Sequence, residues 1–127
     1  SDSSWRQASI SHSTFRDCTF TDACLDDAEF FDCTFTGSRF DGGVRRAAAS
    51  ARRTRFARCD LRMTDWQARV LSYTRFEQCA FYGVSGQPFV DTIVLDRPDL
   101  SQTGDGTVVG TANDVLEWWS FPRVPRA

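Results

Sequence analysis

The sequence predicts an all-β solenoid, a chain that winds through regular bends and builds its core by stacking one turn on the next. Two observations carry this. A large residue recurs at every fifth position, at Trp5, Ile10, Phe15, Phe20, Leu25, Phe30, Phe35 and Phe40, and again at Phe56, Leu61, Trp66, Leu71, Phe76 and Phe81. Two residues before each centre stands a small one: Ser3, Ala8, Ser13, Cys18, Ala23, Ala28, Cys33 and Ser38, then Thr54, Cys59, Thr64, Thr74 and Cys79, with Arg69 the departure. A period of five matches neither the 3.6 of a helix nor the 2.0 of a plain strand. The chain must therefore turn at fixed intervals, and self-similarity at a short fixed period marks a stacked architecture.

If each five-residue unit forms one side of a square, the large residue and the small one point inward, and the other three positions face solvent or make the corner. Corner chemistry agrees, because Asp17, Asp22, Asp27, Asp32 and Gly37 stand two residues after a centre, where turns favour Asp and Gly. The units Ser13-Thr-Phe-Arg-Asp17, Cys18-Thr-Phe-Thr-Asp22 and Cys33-Thr-Phe-Thr-Gly37 resemble the pentapeptide-repeat family, and the resemblance extends over residues 3–83. It implies a right-handed quadrilateral β-helix with four units per coil and about four coils in all. Residues twenty apart should then lie one above the other at the roughly 4.8 Å spacing of neighbouring strands. Phe15 is expected to stack on Phe35, Phe20 on Phe40, Ile10 on Phe30 and Phe56 on Phe76. Each coil alone has almost no core, so stacking supplies it. On the surface the same rule brings Arg6 beside Asp26 and His12 beside Asp32, pairs that tune register more than stability.

A chain of 127 residues, 41% hydrophobic and 25% charged, suits one domain. We divide it into a repeat β-helix over 1–83, with an Arg-rich loop inserted at 41–53, and a non-repeat capping or dimerisation segment over 84–127. The loop follows from spacing: sixteen residues separate Phe40 from Phe56, three units plus one, so chain must bulge there. Four arginines, Arg45, Arg46, Arg52 and Arg53, flank an Ala-rich stretch, and they suit either a solvated insertion or a finger that grips phosphate or carboxylate. In the C-terminal segment, Phe89 to Leu95 reads as a strand, Ser101 to Thr107 as a loop, and Asn113 to Ser120 as a short helix capped by Asn113. A solenoid end exposes apolar surface and unpaired strand groups. Trp118, Trp119 and Phe121 are suited to plug that end, or to form a homodimer contact.

The five cysteines match neither a zinc pattern nor a disulfide framework. Cys18, Cys33, Cys59 and Cys79 fall at the small inward position and Cys24 should face outward, which fits a reducing cytoplasm. All fifteen basic residues are arginine, a usage that suits a GC-rich bacterial source. No apolar run reaches the roughly 18 residues a membrane helix needs, and a chain opening on serine is expected to be processed, tagged or cut from something longer. Net charge is −2 but segregated, at −5 over residues 1–43, +7 over 44–75 and −4 over 76–127.

Catalytic signals are weak. His12 is the single histidine, Asp32 could orient it, but the outward thiol of Cys24 belongs to another side of the square. No cofactor or metal is expected. The leading expectation is a non-enzymatic protein-binding scaffold. The resemblance adds a second: some family members mimic duplex DNA, bind DNA gyrase or topoisomerase IV and protect them from poisons, and some share an inserted loop. Here Asp17, Asp22, Asp26, Asp27, Glu29 and Asp32 would supply the acidic surface. Four coils give a rod of only about 20 Å, however, against a duplex charged every ~1.7 Å over a longer contact. A third reading is an enzyme or accessory factor in bacterial natural-product biosynthesis. Direct nucleic-acid binding is not expected at a pI near 5.3.

Overall fold

The computed structural model describes residues 5–21, 23–41 and 50–120. They form a β-solenoid of about four coils followed by one short helix. The strands are β1 (Ser9–Ser11), β2 (Glu29–Phe31), β3 (Ser50–Arg52), β4 (Arg55–Ala57), β5 (Val70–Glu77) and β6 (Phe89–Asp96), and the helix is α1 (Ala112–Ser120). All six belong to one parallel sheet, in which β1 pairs with β2, β2 with β4, β4 and β3 with β5, and β5 with β6.

The centres of the five-residue units form four inward columns. Phe15 lies on Phe35 with ring centroids 5.2 Å apart, Phe20 on Phe40 at 4.9 Å, and Phe56 on Phe76 at 5.2 Å. Ile10 is in register with Phe30. Each stack is near-parallel, and between columns the rings meet edge-on, as at Phe30 and Phe35. Such pairs contribute about 0.5–1.5 kcal/mol beyond the area they bury. The small inward residues do a second job. Ser38 Oγ donates to Phe15 O at 2.6 Å, Thr54 Oγ1 to Leu25 O at 2.6 Å, and Cys59 Sγ to Phe30 O at 3.3 Å. A hydroxyl or thiol at this position satisfies a carbonyl on the preceding coil, which is why Ser, Thr and Cys are at home in an interior. Cys18 is the exception, exposed because it sits in the first coil with no described rung above it.

Corners fall where expected. Gln7, His12, Asp17, Asp27, Asp32, Arg53, Arg58, Met63, Ala68, Tyr73, Gln78, Thr92 and Arg97 all adopt left-handed backbone, with φ between 50° and 63°. The sequence signals the early corners through Asp; the later ones carry residues with no turn preference, held there by the stacking of the coils.

Three expectations are corrected. The insertion is shorter than 41–53. Asp41 is buried and accepts from Thr21 Oγ1 at 2.6 Å, while β3 re-enters the sheet with Ala51 between Leu25 and Leu71. Arg52 and Arg53 therefore belong to a coil, and Arg45 and Arg46 lie outside the described residues. Register across the insertion is 26, so six residues are extra. The solenoid also runs past residue 83: Asp65 pairs with Ser85 twenty residues on, but Val70 pairs with Phe89 and Ala80 with Asp99 at nineteen. A one-residue slip near Gly86 hides a continuing period at Val90, Leu95 and Leu100. Lastly, α1 is capped by Thr111, not Asn113. The Thr111 N–H donates to Asp114 Oδ2 at 2.9 Å and the Asp114 N–H to Thr111 Oγ1 at 3.4 Å, a reciprocal pairing that satisfies two donors at the helix start.

Arg69, the residue that broke the repeat, is wholly buried. Its Nε donates to Phe40 O, Nη1 to Ala23 O and Nη2 to Phe20 O. The carbonyls of Ala23 and Phe40 border the seam where the chain departs after Asp41, and there the guanidinium stands in for backbone donors; Phe20 O also accepts the Ala23 N–H at 3.0 Å.

Candidate interaction surface

Among the described residues the expected acidic surface is spread over more than one side of the solenoid. Asp17 is at a corner on one side of the solenoid, Asp26 and Asp27 border another, Glu29 and Asp32 a third, and Asp22 lies outside the described residues. Three of them also face an arginine. Asp27 takes a two-pronged bond from Arg53 at 2.7 and 3.0 Å, and Asp32 one from Arg58 at 2.9 and 3.2 Å. Glu29 lies 3.9 Å from Arg55, which itself holds Glu77 at 2.8 and 3.1 Å. Asp26 is buried and accepts the Arg52 N–H at 2.9 Å. These arginines hold the carboxyls of Asp27, Asp32 and Glu77 below the usual carboxylate range. The sequence hid this cancellation because its partners are 22 or 26 residues apart, a separation set by the coil and the insertion together.

The same pairing occupies the carboxylate expected to orient His12. Its Nε2 lies 4.0 Å from Asp32, but that carboxylate is committed to Arg58. Cys33 and Cys79 are buried thiols whose burial pushes them up, which keeps them protonated and unreactive. A cavity of about 390 Å³ lies against the last coil, lined by Gln78, Arg97, Asp99, Gly104, Asp105, Gly106 and Val109. Its carboxylates shape the loop: Asp99 accepts from Ser101 Oγ at 2.7 Å and Gly106 N at 2.9 Å, and Asp105 accepts from Thr107 Oγ1 at 2.7 Å. The hydrogen bonds from Thr107 bring the Asp105 carboxyl down to about 2.

The C-terminal end is built differently from the N-terminal coils. Trp119 is buried, with its ring 5.8 Å from Trp66, 5.8 Å from Phe76 and 5.9 Å from Phe81. It extends the Phe20–Phe40–Trp66 column, whose next position is Gly86 and offers no side chain. Gly86 could carry none, since a Cβ there would lie 2.4 Å from Gln67 N. Trp118 is half-buried and meets Tyr82 edge-on at 6.3 Å; Phe121 lies outside the described residues. α1 thus covers the bore of the solenoid. Over the rim the chain returns antiparallel, with Leu100 N bonded to Val108 O and Gly110 N to Pro98 O. Large hydrophobic side chains cluster here in the open: Phe89, Val90, Val94, Val108 and Val109 are 42–56% exposed.

A parallel one-sheet solenoid with a five-residue period and filled inward columns defines a class, the repeat scaffolds. Residues 2–42 match the family model for pentapeptide repeats, in 8 copies, so this part of the chain carries pentapeptide repeats. No curated protein and no solved structure matches it. Among the described residues no helix is long and apolar enough to cross a membrane.

Proposed function

We propose that this chain is a non-enzymatic protein-binding scaffold of a bacterial cytoplasm, and that its binding face is the C-terminal coil. The observation that carries the reading is the distribution of exposed apolar side chains. Of the seven large ones among the described residues, five fall between 89 and 109, while the N-terminal coils present charge pairs. Apolar surface gathered on one part of a polar molecule marks an interaction site. Five free thiols, three of them buried, suit a reducing compartment. The topoisomerase reading needs a continuous acidic stripe, and the arginines of the third coil interrupt it.

The test is affinity capture with the intact chain and with Val94→Asp, both checked for native dichroism. Proteins retained by the first and lost from the second support the reading; equal capture by both refutes it. A gyrase supercoiling assay with and without a fluoroquinolone is the companion measurement, and drug protection there would favour the topoisomerase reading instead. A second copy of the chain is another occupant this face admits, and light scattering across a concentration series reports it.

A further inference from the structure

Along the body of the solenoid, an acid on one coil meets an arginine on the next. Asp27 meets Arg53, Glu29 meets Arg55 and Asp32 meets Arg58. The ladder follows from register: outward side chains stack at the strand spacing, so unlike charges on successive rungs neutralise one another. At β6 it stops. Asp96 stands in register with Glu77, an acid already held by Arg55 and Arg75, and no cation lies on a following rung among the described residues. Beside it Val94 is 43% exposed.

Among the described residues no strand continues the sheet at the same place. Beyond the corner, residues 98–100 are covered by the antiparallel return of 108–110. Along Ile93–Asp96 the one strand paired among the described residues is β5. An edge with no strand paired to it and flanked by apolar side chains is a template for one more strand.

We propose that the outer edge of Ile93–Asp96 accepts an extended segment of another protein as an added β-strand, with an apolar side chain opposite Val94 and a basic one opposite Asp96. This rests on the protein-binding reading above and supplies the partner's chemistry. The segment is short, because Thr92, at φ 54°, and Arg97, at φ 50°, turn the chain at either end. Charge selects a foreign partner over a second copy: residues 84–120 carry six acids and one arginine, so two C-terminal ends approach as like charges.

The test uses the intact chain and two capped peptides, Gly-Thr-Val-Thr-Arg-Thr-Gly and the same peptide with Glu for Arg, followed by amide NMR at low salt. Expected are saturable shifts centred on Ile93–Asp96 with the Arg peptide, binding about tenfold weaker with the Glu peptide, and inversion of that order by Asp96→Arg. Asp96 is exposed, so the variant should keep its fold, which its amide dispersion verifies. Absence of saturable binding, equal binding of the two peptides, or an order that Asp96→Arg leaves unchanged overturns the proposal. Self-association through the same residues also overturns it and gives the edge to a second copy. If Val94-dependent capture persists while the peptides show no charge preference, the scaffold reading stands and the chemistry assigned to Asp96 falls.

Discussion

Replacing Arg69 by Met keeps an unbranched apolar stem and removes every guanidinium donor. Two carbonyls, those of Ala23 and Phe40, then lose their donor inside the core, while Phe20 O keeps the Ala23 N–H at 3.0 Å. A buried acceptor without a donor costs about 1–3 kcal/mol. Burying a guanidinium is itself costly, and Met relieves that penalty, so the low end of the range applies to each carbonyl. We expect a net loss of about 2 kcal/mol, with Arg69→Lys intermediate because an ammonium can reach fewer of these sites. Urea unfolding followed by far-UV dichroism and by tryptophan fluorescence measures it, and coincidence of the two probes checks that the coils unfold together. A loss below about 1 kcal/mol would refute the reasoning, since it would mean the seam carbonyls find other donors once Arg69 is gone.

Three further outcomes follow from the same geometry. Trp119→Ala should cost about 3–5 kcal/mol and open the bore, whereas Trp118→Ala, at a half-buried site, should cost much less; thermal melts with an apolar dye compare them. Thr92→Asn should stabilise by about 0.5–1 kcal/mol, because a β-branched residue is strained in left-handed backbone and Asn tolerates it; the urea midpoint reports the gain. Acidification should be destabilising in a defined window. The carboxyls of Asp27, Asp32, Glu77 and Asp105 have folded-state values below their ordinary ones, that of Asp105 at about 2, so their contribution is fully present above the ordinary carboxylate range and is lost as pH falls through those lowered values. Midpoints flat from pH 7 to ~4.5 and falling below that are expected, with a shallower fall in Asp105→Asn.

How much of this was legible in the chain depends on how far apart the partners lie. The inward columns were, since Phe15 on Phe35 and Phe56 on Phe76 need only the five-residue period and the twenty-residue coil. So were the early corners, where Asp announces the turn. The later corners at Arg53, Met63 and Tyr73 follow the coil against local preference, and no local signal marks them. Ala51 was unreadable as a centre because it is small, though it occupies the place between Leu25 and Leu71. A one-residue slip at Gly86 concealed the last coil in the same way.

For the surface, the sequence determined the net charges of its three segments and, by the twenty-residue rule, set Arg6 beside Asp26, but nothing in it said which acid would meet which arginine across the insertion. The insertion decided that. By adding six residues to one coil it set Arg53 opposite Asp27 and Arg58 opposite Asp32, converting an acidic run into neutral rungs. It also decided that a buried arginine was needed at position 69, where the repeat asks for a small residue. Charge pairing and carbonyl satisfaction depend on register between coils, and register is a property of the stacked structure; the period of five, a local property, was in the sequence from the first unit.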